Sequence, residues 1–168
     1  MGRPAIKPAG HLAGGFLRMA QGARLMHRAV EAPDERYALL ADGRIDALFD
    51  DVPNVRTAAP RAGHRIIAVT SALRSPVLPN APSFGELWNQ SFDTWVGLVA
   101  PKELGHDAYN RLASAASALL GDAAFLAHFR AAGVTLIGLD SDGAMAYLDS
   151  DILRNARQIA LLNEDGMR

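Results

Sequence analysis

RIIAVTSALRSPVLPNAPSFGELWNQSFDTWVGLVAP, residues 65–101, sets two apolar runs of strand length on either side of a proline-rich connection. The first run, 65–70 (RIIAVT), is dominated by β-branched residues, which suit a pleated, half-buried backbone. The second, 94–100 (TWVGLVA), carries no charge and is stopped by Pro101, which has no N–H to give a ladder. Residues 71–93 link the two and contain Pro76, Pro79 and Pro82. A connection of that length inside a domain is functional or structural rather than slack. Glu86, Leu87 and Trp88 within it fit one helical turn.

Working outward, residues 45–50 (IDALFD) read as a further short buried strand, followed by a helix or turn over 53–62 that Gly63 closes. Residues 33–40 read as a helix opened by Pro33, with acids in its first turn where the helix dipole favours them, and ended by Gly43. Residues 11–20 give an apolar stripe through Leu12, Phe16 and Leu17 and read as a helix; 24–27 fit a short strand. Beyond Pro101, residues 107–120 and 122–132 read as two alanine- and leucine-rich helices, the second ended by Gly133. Residues 134–137 fit a short strand, and Ser141 caps a last helix over 142–162.

Alternating helices and strands predict an α/β fold with a mainly parallel sheet, in which 45–49 and 65–69 lie adjacent and parallel. The second half has little sheet of its own. Its helices are therefore expected to expose an apolar face, which favours homo-oligomers, aggregation or low thermal stability.

Bulk properties narrow the function. A formal charge of -1 with no basic run leaves no field for nucleic acid or an anionic membrane. The chain has no cysteine, which excludes disulfides, thiolate zinc sites and thiol nucleophiles. The five histidines, at 11, 27, 64, 106 and 128, form no i, i+4 pair and no HExxH pattern, so no zinc site is expected. No phosphate loop, dinucleotide fingerprint or nucleophile elbow occurs. Asp140-Ser141-Asp142-Gly143 lacks the rest of a calcium loop and reads as a helix cap. No catalytic residue, metal or cofactor is predicted. The apolar runs are too short to cross a bilayer. Residues 1–11 carry Arg3, Pro4, Lys7 and Pro8 and no apolar stretch, so they do not read as a secretory signal.

Four blocks carry a resemblance: HLAGGFL at 11–17, DGRIDALFDDVPNV at 42–55, AGHRIIAVTSALRSPVLPNAPSFGEL at 62–87 and WVGLVAPKEL at 95–104. In order and spacing they resemble the substrate receptors of tripartite tricarboxylate transporters, the Bug or TctC family. The resemblance implies a type II periplasmic-binding-protein-like bilobal fold. Residues 1–93 would form the second lobe, near complete. Residues 94–168 would supply the strand and helices that return to a partial first lobe, whose amino-terminal strands would be missing from this carboxy-terminal portion. It also implies a non-enzymatic, periplasmic receptor for di- or tricarboxylates or related metabolites. Its partners would be a small organic acid and, at full length, the transporter membrane subunits. Without an export signal, the competing reading is a cytosolic effector-binding or regulatory module of related fold.

A carboxylate needs only exposed N–H groups at a helix start and a few hydroxyls. The family places a glycine-serine loop before the helix that begins at Gly10 and His11. Here residues 2–10 read GRPAIKPAG, with prolines that supply no N–H; Arg3 or Lys7 would hold an acid instead, or the site has decayed. His11 is a donor at that helix start or a structural histidine. Val30, Glu31 and Ala32 replace a tyrosine-lysine-glycine run, and Glu31 would repel an anion. Asp50 and Asp51 end a strand, where ligand crevices form in α/β sheets; a strand-end cap accounts for them as well. Thr70 and Ser71 end the next strand as a hydroxyl pair or as a turn. Trp95 lines the cleft or belongs to the core.

Overall fold

The computed structural model describes residues 8–30, 32–61 and 63–164. They form seven helices: α1 (Pro8–Gln21), α2 (Pro33–Ala41), α3 (Val52–Arg61), α4 (Phe84–Trp88), α5 (His106–Gly121), α6 (Ala123–Ala132) and α7 (Ser141–Glu164). The expected α/β type II binding-protein fold is not formed. Among the described residues the β-structure is one isolated parallel bridge, Val69 with Ser83. The predicted strands run as extended or turning chain without a ladder.

The reason lies in what each segment finds beside it. A strand exists only when neighbouring backbone accepts its N–H and C=O groups. After Val69 the proline-rich connection turns back on itself. Val69 N–H donates to Pro82 O at 2.9 Å and Phe84 N–H donates to Val69 O at 2.9 Å. One residue on, Phe92 N–H donates to Thr70 O at 2.8 Å. Segment 65–70 is thus tied to its own downstream loop, not to 45–49. That second segment meets helices: Ile45 N–H donates to Leu39 O at the end of α2. A β-carbon at Gly10 of α1 would come within 2.9 Å of Phe49 Cβ, so α1 lies directly over Phe49.

Helix limits follow local chemistry. Gly22, Gly43, Gly63 and Gly133 follow α1, α2, α3 and α6, each with positive φ, the conformation glycine adopts without a Cβ penalty. Ser83 caps α4 in a reciprocal box: Glu86 N–H donates to Ser83 Oγ at 3.1 Å, and Ser83 N–H donates to Glu86 Oε2 at 2.9 Å. Those contacts and Arg74, which donates to both Glu86 oxygens at 2.9 Å, hold the Glu86 carboxyl below its ordinary range. Asp122 caps α6, accepting Phe125 N–H at 2.7 Å. The cap of α7 differs from expectation. Asp140, not Ser141, does the work, accepting Gly143 N–H at 2.8 Å; its carboxylate reaches the third N–H of the helix.

The chain divides into two compact units, one running to Thr94 and resuming at Gln158, the other Trp95–Arg157. The core of the first joins Leu12 and Ala13 of α1 to Phe84 and Phe92, with Phe16 and Trp88 packed against them. Phe84 meets Trp88 edge-on at 4.7 Å, and Phe16 lies 5.7 Å from Phe92. Burying Leu12, Phe84 or Phe92 stabilises this unit by about 1.5–3 kcal/mol each. The proline-rich connection closes tightly enough that a β-carbon at Gly85 would fall 1.9 Å from Ala72 O. In the second unit no residue of α5 or α6 is buried. Among the described residues no single helix is long and apolar enough to cross a membrane; α5 and α6 pass that test only together, bent by 72°.

Candidate functional site

Asp50 is where the first unit concentrates its polar chemistry. Its side chain is 0% exposed. Oδ1 accepts from Arg36 Nη1 at 3.2 Å, from Asp51 N–H at 2.9 Å and from Asn54 Nδ2 at 3.2 Å. Oδ2 accepts from Tyr37 Oη at 3.3 Å. Arg36 also donates from Nε to Val30 O at 3.0 Å, which ties the extended segment before α2 to the same cluster. Burial and the Asp50 charge push the Tyr37 phenol up to about 12. The His64 ring stacks on Tyr37 at 6.4 Å, and its Nε2 is buried without a hydrogen-bond partner among the described residues.

Arg36, Tyr37 and Asn54 were not singled out from the sequence. A signal was present: an acid at the end of an apolar run needs a cation and donors once buried, and α2 presents RY on consecutive positions. Which helix would supply them was not readable.

The other candidates fall in distinct surroundings. Gly10 and Gly14 let α1 approach Phe49, so Gly10 stands beside the Asp50 segment. His11 follows it, its ring 4.7 Å from that of His27 and edge-on to it. Its Nδ1 is buried without a hydrogen-bond partner among the described residues. Burial and the His27 charge lower its pKa, so the imidazole is neutral at pH 7 and offers an anion a dipole rather than a full charge. Asp51 is exposed, immediately before α3, and its carbonyl accepts Val55 N–H at 2.9 Å. Thr70 Oγ1 donates to Phe92 O at 2.8 Å and Ser71 Oγ donates to Leu73 O at 2.6 Å. Both hydroxyls thus help close the proline-rich loop. Trp95 belongs to the other unit, where Nε1 donates to Asp151 Oδ2 at 2.9 Å. Asp151 also accepts from Arg154 and Asn155. Arg3, Pro4, Lys7 and Glu31 lie outside the described residues. Among the described residues no group of three or more metal-ligating side chains converges.

A family model described as the tripartite tricarboxylate transporter family receptor matches residues 2–164. The chain belongs to this receptor family. A curated relative points the same way: the "UPF0065 protein in tcbD-tcbE intergenic region" of Pseudomonas sp. (strain P51) is 30% identical over 105 residues. The matched stretch covers 61% of this chain and 31% of that relative, so it spans about a third of the relative's length. In this family member the four blocks that carried the resemblance contribute α1, the Asp50 cluster, the Gly85 loop and the segment that follows Thr94. The family so described is one of transporter receptors.

Proposed function

We propose that the chain contributes to a periplasmic solute-binding receptor for small carboxylates, di- or tricarboxylates or related metabolites, that serves the membrane subunits of a tripartite tricarboxylate transporter. The observation that carries this reading is the family match across residues 2–164. Gly10 and His11 in the first turn of α1, with Asp51, Thr70 and Ser71, are the residues proposed to face the ligand. Asp50 accepts the Asp51 N–H and so fixes the backbone at that position. Thr70 and Ser71 donate their hydroxyl protons internally, and their oxygens keep lone pairs for a ligand hydroxyl or a water that bridges to a carboxylate.

Affinity is expected to be weak. Residues 2–10 set prolines where free N–H groups would hold an anion, and the His11 imidazole is neutral. A dissociation constant near or above about 1 mM, roughly -4 kcal/mol, follows. Titration calorimetry with mono-, di- and tricarboxylates and neutral controls tests this. Saturable heat from a di- or tricarboxylate, absent with neutral controls, supports the reading. Silence across the carboxylates at roughly ten times that concentration, or binding of a neutral solute alone, overturns it.

A further inference from the structure

The rings of His11 and His27 meet with their centroids 4.7 Å apart and their planes at 88°. Sixteen residues separate the two in the chain, so no local spacing marks them as a pair. Among the described residues the other ring contacts of histidine are to other side chains, His64 with Tyr37 and His128 with Phe129. His11 Nδ1 is buried and has no hydrogen-bond partner among the described residues. A shielded ring nitrogen is costly unless something occupies it. The spacing of the pair fits a metal ion. Imidazole nitrogens sit about 2.0–2.1 Å from a divalent transition metal, so two rings on one ion near a tetrahedral angle have centroids roughly 5 Å apart. Rings on one ion turn about their metal–nitrogen bonds, which permits planes at right angles.

We propose that His11 and His27 form a two-imidazole half-site for a divalent transition metal ion, of the nickel, copper or zinc kind, that arrives already chelated by the small carboxylate. The inference rests on the carboxylate reading above and names the form in which the acid is taken. Imidazole suits these ions, and two imidazoles fill only part of their coordination shell. Among the described residues no group of three or more His, Cys, Asp or Glu side chains converges, so the protein does not complete that shell. A di- or tricarboxylate does, because its oxygens take the remaining positions. The ion also answers the poor grip on a free acid. Residues 2–10 set prolines where N–H groups would hold an anion. A metal held by the residue after Gly10 supplies positive charge at that point. Magnesium, a hard ion that keeps oxygen ligands and its waters, gains nothing from the two rings.

Titration calorimetry on the full chain compares citrate alone, citrate with equimolar magnesium and citrate with equimolar nickel(II). Nickel citrate should bind at least ~10-fold tighter than citrate, and magnesium citrate should match citrate. His27→Gln and, separately, His11→Gln should return nickel citrate to the metal-free value, with helical circular dichroism unchanged. Should a variant lose its helical signal, the unsubstituted chain decides. Paramagnetic nickel citrate should broaden the ring-proton resonances of His11 and His27 before those of His64, His106 and His128. Broadening spread evenly over all five histidines, a nickel gain that survives both substitutions, or nickel chloride bound as tightly as nickel citrate overturns the proposal. Equal affinity for citrate with and without nickel overturns the metal half-site and leaves the carboxylate reading standing. Silence from all three overturns both.

Discussion

Arg36 and Asp50 meet at 3.2 Å across fourteen residues of chain, and the Asp50 side chain is fully shielded from solvent. The ion pair links α2 to the start of α3, and Asp51 N–H, Asn54 and Tyr37 also donate to the carboxylate. Removing the cation leaves a buried charge short of its counter-ion. Arg36→Met should destabilise the first unit by about 3–5 kcal/mol, whereas Arg36→Met combined with Asp50→Leu should recover much of that loss. Urea midpoints of the two variants decide it. Equal loss in both would mean that the pair is not what holds this cluster.

The Tyr37 phenol, pushed up to about 12, belongs to the same cluster. The folded state prefers the neutral phenol. Its contribution to stability is therefore complete below the ordinary phenol value near 10 and is lost as pH rises toward 12. Of three tyrosines, one should ionise late in a titration followed by phenolate absorbance, and Tyr37→Phe should remove that late step. Three superimposed titrations near pH 10 would count against the buried position of Tyr37.

His11 titrates in the opposite direction. Burial and His27 lower its pKa, so the native state binds fewer protons than the unfolded chain does. Stability from this group is present above pH ~6.5 and lost as pH falls below it. Proton resonance should give His11 a midpoint below that of a free histidine, and His27→Gln should raise it. A His11 midpoint that does not respond to the His27 change would break the link between the two rings.

Gly85→Ala would drive a β-carbon into Ala72 O, where the separation is 1.9 Å. The neighbour is backbone and cannot swing away. The change should cost at least ~2 kcal/mol by forcing the proline-rich loop open. Gly105→Ala, where nothing lies within 4 Å, is the matched control and should shift the midpoint little. Similar thermal midpoints for both would show that the loop closes by another route.

Family membership and helices were legible in the sequence because both are written locally. Pro33 at a helix start, glycines after α1, α2, α3 and α6, and alanine-leucine composition in α5 and α6 act within a few residues. The quoted blocks in order were enough to mark the receptor family. Tertiary structure alone decided whether the extended runs would pair. Residues 65–70 and 94–100 have the composition of strands, but the first is held by Pro82, Phe84 and Phe92 and the second has no ladder among the described residues. It also decided the partners of Asp50, of Thr70 and of Trp95, which lie 14, 22 and 56 residues away. β-Propensity says that a segment fits a pleated surface. Whether such a surface forms depends on lateral hydrogen bonds from remote chain, and a buried charge likewise takes its counter-ion from wherever the fold brings one.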